Sequence, residues 1–429
     1  MNRSLPIYLL RPTFDQFTAT ISASHFRKMF RMTQSMFATL CATICNEIGP
    51  EVFRSESFLS QRRERIYGSQ EPREQAVAPV SGEIRVAIGL RMLAGGSYLD
   101  LVPLFRVSSS QLYDVFDTFL VWILATFKFP LPQYFAENNW PAIERLAFPF
   151  AEKTNGIFYG VFAALDGLAV RIKGPRIDEV PDPGNYYCRK GFFALNVQAM
   201  CDKAKYFLWC FPANKGSTHD STAFANSTLF DILRSKAEEL RKRDLFVAGD
   251  SAYGLTSFLM TPYDKEEMKH DDLDMKDAFN FYLSSCRIYI ECAFGELVMR
   301  WGILWRTLHF RLKKCMEIIR VCMLLHNFIL DHQEESERYN MSEVQNFDIE
   351  MDQLQQNITQ ATGEIPLPTV SDNNEPKPSG RRTKEEVNEK ALGENIRFNL
   401  AYKLASAGLS RPMVTGMHTN KHGHVYMTE

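Results

Sequence analysis

The feature that most constrains this chain is an apolar run, Ile157–Val170 (IFYGVFAALDGLAV), interrupted by one carboxylate, Asp166, and the glycine that follows it. β-Branched and aromatic residues at this density predict a largely buried strand. A lone carboxylate beside such a run is costly unless it is paired, hydrogen-bonded or bound to a cation. The pattern recurs at Leu245–Ala248 (LFVA), which leads directly into Gly249-Asp250. A third acid, Glu291, follows Ile290 in a segment from about 278 to 299 where Leu283, Cys286, Ile290, Phe294 and Leu297 recur at helical spacing. The reading is therefore two aspartates, each at the C-terminal end of a buried strand, and a glutamate at the edge of a helix's buried face, able to reach over the sheet.

Three carboxylates so placed suit the divalent-cation chemistry of phosphodiesters. Hard oxygen ligands favour Mg²⁺ or Mn²⁺, and paired ions activate the attacking oxygen and stabilise the leaving one. Without a cation the acids repel and raise one another's pKa, so such a site takes up metal and loses activity as the pH falls. The residues alone leave another reading open, in which Asp166 and Asp250 cap turns and Glu291 pairs with Arg287 one helical turn away.

The surrounding chain is read in three parts. Residues 14–150 are helical, with Ile84, Ala87, Ile88, Met92 and Leu93 in phase until Gly95-Gly96, a short helix at Tyr98–Phe105, and a Ser-capped helix from Gln111 to about Thr126. That order, about 83–126, is helix-turn-helix grammar, and equally that of an ordinary bundle. Residues 151–332 alternate strands and helices: Phe192–Cys201 and Tyr206–Phe211 read as a hairpin, followed by helical stretches at Asp220–Phe230 and Ile232–Arg241. Residues 333–429 are a polar, flexible tail with a Pro-rich charged span at Pro366–Glu385 and one isolated helix, about 385–405, whose helicity depends on a partner.

The nine cysteines form no Cys-x-x-Cys pair, which predicts buried free thiols rather than a disulfide framework or zinc knuckle. The strongest apolar run, Phe119–Phe127, falls short of the ~20 residues that cross a bilayer, and no secretory signal is evident. The net charge of −2 excludes a histone-like basic blanket, yet it conceals two opposed regions. From Arg287 to Arg320, seven cations face three acids for a net +4, and Asp264–Asp277 carries seven acids against three lysines for −4. Arg287, Arg300 and Arg306 in the basic stretch are candidates for DNA phosphate contact. Trp301 is assigned to the core. The clusters Arg62-Arg63-Glu64-Arg65, Arg241-Lys242-Arg243 and Arg381-Arg382 are too short or interrupted to read as import signals.

Ordered words surround the acids: LDG at 165–167, GSTHDS at 216–221, GDSAYGL at 249–255, FNFYLSSCRIYIECAFGELVMRWGIL at 279–304 and LLHNFIL at 324–330. In these the chain resembles the DDE nuclease domain of PIF/Harbinger-type transposases and the Harbinger-derived nuclease-like proteins, closely over 150–330 and more loosely over 80–130. The resemblance implies an RNase H-like fold, a mixed α/β sheet with flanking helices, preceded by an all-α, helix-turn-helix-like region. It implies that Asp166, Asp250 and Glu291 are the catalytic and metal-binding acids, spaced by 84 and 41 residues. Asp220, in the HDS word, is then a supporting or helix-capping residue rather than a ligand. Gly254 departs from the family, which often has proline there, and this bears on the local turn.

The resemblance further implies a Mg²⁺- or Mn²⁺-dependent endonuclease or transposase acting on double-stranded DNA. It also implies nuclear residence, with the cytoplasm as a second location, and pairing with a separate Myb/SANT-like DNA-binding protein. Two other readings stand beside it. One is a domesticated, non-catalytic DNA- or protein-binding factor; the other is a metal phosphoesterase acting on small molecules, which would share the acids but not the basic flank.

Overall fold

The computed structural model describes residues 13–54, 80–269, 272–333, 384–412, 417–419 and 425–427. The Arg62–Arg65 and Arg381-Arg382 clusters and nearly all of the span read as a Pro-rich linker lie outside these. Four helices come first: α1 (Phe14–Thr18), α2 (Ala23–Phe30), α3 (Gln34–Ile48) and α4 (Pro50–Arg54). Then come α5 (Gly82–Leu93), α6 (Tyr98–Phe105), α7 (Ser109–Thr126), α8 (Pro130–Ala136) and α9 (Trp140–Ala147). Their starts are written in the sequence: Ser81, Ser97 and Ser108 accept hydrogen bonds from Ile84, Leu99 and Gln111 amides. Helix α5 stops at Gly95, whose φ of +96° only glycine adopts readily, and Gly95 lies against Gly302, where an added Cβ would come within 2.7 Å of the Ala94 carbonyl.

The stretch Ser109–Ala136 is long and apolar enough by composition to cross a membrane. In this fold α7 instead buries Leu112, Val115, Phe116, Phe119, Leu120, Trp122 and Ile123. It packs against α3, α5 and a later helix, Leu312–His332.

The α/β part begins with β1 (Val161–Arg171), followed by β2 (Tyr187–Cys188), β3 (Phe192–Cys201) and β4 (Phe207–Lys215). Helices α10 (Asp220–Ala225), α11 (Thr228–Ser235) and α12 (Ala237–Lys242) lead to β5 (Phe246–Ala248) and β6 (Leu259–Met260). Long helices α13 (Leu273–Arg300) and α14 (Leu312–His332) follow, and α15 (Lys384–Ser406) lies near the end. The sheet order is β2-β3-β1-β5-β6 with β4 on β3. β1 runs antiparallel to β3 and parallel to β5. Helices α13 and α14 cover one face, and α8, α9 and α10 the other, giving the mixed α/β, RNase H-like architecture. One apolar cluster runs from Phe26 and Phe30 through α5 and α7 to Val170, Leu297 and Leu325, so the helical region and the sheet share a core.

One word of the sequence proves structural. In LLHNFIL, Asn327 accepts from the Phe207 amide at 2.8 Å and donates to its carbonyl at 2.7 Å, closing the start of β4 onto α14. Trp301 is fully buried, as assigned. All nine cysteines are free, and all but Cys45 are buried.

The tail helix corrects the sequence reading. α15 is not isolated: Leu400, Ala401 and Leu404 are buried with Met260, Phe279, Tyr282 and Leu283, so the partner it depends on is its own chain. Arg397, also buried, pairs with Glu267, donates to the Pro262 carbonyl at 3.2 Å and lies 4.0 Å over the Tyr263 ring. Arg397→Ala strips these acceptors of a charged donor and is expected to cost about 2 kcal/mol. Urea unfolding would show it; a variant as stable as the parent would contradict the docking.

Candidate active site

Ala164 of β1 pairs in parallel with Ala248 of β5. Asp166 and Asp250 each stand two residues further on, so the strand register brings both acids to the same level of the sheet. Asp250 lies just beyond β5, as expected. Asp166 does not end its strand: it sits mid-strand, opposite Ala199 of β3. The reason lies in a change of partner. β5 stops at Ala248, while β1 continues to Arg171 along β3, so beyond β5 the stretch of β1 that carries Asp166 has no strand beside it on that flank.

Each aspartate has one oxygen fixed by the backbone. The Gly167 amide donates to Asp166 Oδ1 at 2.7 Å, and the Ala252 amide to Asp250 Oδ1 at 2.7 Å. Glu291 projects from α13 between the buried Ile290 and Cys292, with its side chain 56% exposed. Between the first and third acids stands Arg287. Its Nη2 is 3.6 Å from Asp166 Oδ2 and 3.3 Å from Glu291 Oε1, and its side chain is mostly buried. The Arg287–Glu291 pairing expected one helical turn apart is present, and the same guanidinium also reaches Asp166.

Burial pushes the Asp166 carboxyl from 3.8 up to about 6. The Gly167 amide and Arg287 pull it down, and Asp250 and Glu291 push it up again. All three acids thus share one electrostatic neighbourhood.

The remaining site residues separate. Arg306 is exposed. Arg300 is a correction: it is 2% exposed, because its turn of α13 is buried beneath the helical region, so it does not face a surface-bound DNA backbone. Within the basic stretch, Arg311 pairs with Asp178 and Lys314 with Asp117. Asp220 is the first residue of α10 and does not cap it. Its Oδ1 accepts from Asn196 Nδ2 and Gln198 Nε2, both at 2.9 Å. Gln198 and its partner Tyr253 escaped sequence reasoning, although Tyr253 lies inside the GDSAYGL word.

The donor set fits a hard divalent cation, since every candidate ligand is a carboxylate oxygen and the pair of aspartates is held by backbone amides. Among the described residues no three His, Cys, Asp or Glu side chains are gathered closely enough to hold a metal as they stand. The guanidinium of Arg287 occupies the electrostatic place of a cation between Asp166 and Glu291.

Residues 165–327 match the family model described as DDE superfamily endonuclease. The chain is 29% identical to the candidate nuclease HARBI1 of Mus musculus over 176 residues, 40% of this chain and 47% of that one, about half the relative's length. It is 26% identical to Protein ALP1-like of Arabidopsis thaliana over 278 residues, covering 60% and 63% of the two chains. It is also 25% identical to the Arabidopsis protein Antagonist of Like Heterochromatin Protein 1 over 330 residues, 71% and 73% of the two. No solved structure matches it. Register and family model agree: residues 165–327 match the DDE superfamily endonuclease domain, in a chain similar to the Harbinger transposase-derived proteins.

Proposed function

We propose that this chain is a divalent-metal-dependent DNA endonuclease in which Asp166, Asp250 and Glu291 hold Mg²⁺ or Mn²⁺. The observation that carries the reading is the register: Asp166 on β1 and Asp250 just past the parallel strand β5 stand two residues beyond the same paired position, and Glu291 of α13 shares Arg287 with Asp166. Bound there, one or two such ions would activate an attacking water or 3′-hydroxyl and offset charge on the leaving oxygen. Asp166 and Asp250 present their outer oxygens because backbone amides hold the inner ones. Glu291, on an exposed helix edge, can approach without unpacking the core. Arg287 neutralises the acids until a cation arrives, and both it and Arg306 lie on the basic segment suited to DNA phosphates. Nuclear residence and a Myb/SANT-like partner that finds the target belong to the same proposal.

Incubation of the purified chain with linear duplex DNA tests it. Cleavage should require Mg²⁺ or Mn²⁺ and stop on chelation; no cleavage together with no calorimetric Mn²⁺ uptake overturns the reading. One observation favours the non-catalytic alternative: Arg287 already compensates Asp166 and Glu291, so a binding factor could keep these acids without metal. Absent Mn²⁺ uptake with intact DNA binding would select it.

A further inference from the structure

Three of the ordered words meet at one buried polar network on the face of the sheet opposite α13. Gln198, fully buried in the apolar strand β3, pairs across to Gly167, the residue after Asp166. Its Oε1 accepts from the Tyr253 hydroxyl at 2.6 Å. Its Nε2 donates to Asp220 Oδ1 at 2.9 Å and to Asn196 Oδ1 at 2.7 Å, and Asn196 Nδ2 donates to the same Asp220 oxygen. Both ends of the Gln198 amide are thereby satisfied, which fixes its orientation.

The glycine of LDG is demanded by this network. A Cβ on Gly167 would lie 2.5 Å from Asp220 Oδ1 and 2.7 Å from Gln198 Nε2. Tyr253, 4% exposed, donates its amide to the Asp250 carbonyl at 3.2 Å and so closes the turn that begins at Asp250. Burial and the nearby Asp166, Asp220 and Asp250 push its hydroxyl pKa upward, keeping it a neutral donor.

We infer that Asp220, Gln198 and Tyr253 are positioning residues, an internal brace that ties the turn carrying Asp250 to the strand carrying Asp166. Asp220 supplies the fixed acceptor, Gln198 transmits the orientation, and Tyr253 delivers it to the second acid. None of the three is a candidate ligand. Their action is through the spacing of the two aspartates, and the inference rests on the metal-site reading above.

The test compares Tyr253→Phe, Asp220→Ala and Asp220→Asn with the parent in Mn²⁺ calorimetry and Mn²⁺ electron paramagnetic resonance. Loss of a residue that orients a ligand typically weakens metal affinity about 10- to 100-fold. Tyr253→Phe and Asp220→Ala should do so and alter the bound-Mn²⁺ spectrum. Asp220→Asn keeps an oxygen for both amides and should stay within about threefold of the parent. If the first two variants lose only melting temperature, with affinity and spectrum unchanged, the inference fails. If the parent takes up no Mn²⁺, the functional reading fails separately, and amide exchange over residues 249–255 then decides: faster exchange in Tyr253→Phe supports the brace, unchanged exchange overturns it.

Discussion

Asp250→Asn should lose metal-dependent DNA cleavage by at least about 10³-fold while remaining folded. A cation at the reacting phosphate contributes several kcal/mol of charge stabilisation, and each ~1.4 kcal/mol is a factor of ten in rate. The Asn side chain still accepts from the Ala252 amide through its oxygen, so the turn beyond β5 is retained. What it loses is the negative charge and the second carboxylate oxygen that a hard cation requires. A rate assay on duplex DNA, with circular dichroism as the folding control, checks both halves. Cleavage within threefold of the parent would remove Asp250 from the site.

The second large effect is on stability and has the opposite sign. Burial lifts the folded pKa of Asp166 to about 6, above its ordinary 3.8, so between those values the folded chain holds a proton that the unfolded chain has released. Stability from this group is therefore complete below about pH 4 and is lost as the pH rises through about 6. One pKa unit corresponds to about 1.4 kcal/mol, so an ionised Asp166 costs the metal-free protein up to about 3 kcal/mol near neutrality. Asp166→Asn, without chelatable metal, should melt at a higher temperature than the parent at pH 7.5. The gap should close as the pH is lowered towards 4.5, and saturating Mn²⁺ should stabilise the parent but not the variant. Calorimetric melting across that pH range measures it, and a variant less stable at pH 7.5 would contradict the burial cost assigned to Asp166.

How much of this was legible in the sequence differs from element to element. The strands around Asp166 and Asp250 announced themselves because apolar β-branched runs have few other uses, and the serine run ahead of Gln111 marked a helix start through the cap chemistry that Ser108 provides. The position of Asp166 within its strand was not legible, because it depends on where β5 stops pairing, a property of a chain segment some eighty residues away. Gln198 was hidden for a related reason: a single polar residue in an apolar strand carries no sign of its partners until Asp220 and Tyr253 are folded onto it. Arg287 was legible as a cation near Glu291 through helical spacing alone, but its approach to Asp166 is tertiary. Arg300 was misread because a charge sum is blind to burial. The role of α15 was missed because its buried face is Gly393, Arg397, Leu400, Ala401 and Leu404, a stripe whose first two residues, a glycine and an arginine, carry no apolar signal.

Helix α13 behaves as a beam supported at both ends. Near its first turns it is clasped by α15, and at its last turn it meets Trp301 and Gly302, which rest on the Gly95 turn of the helical region. Glu291 stands along the span between those supports. A fragment trimmed to residues 165–327 would keep every candidate acid yet lose both abutments, leaving the third carboxylate on a beam free to tilt away from the other two.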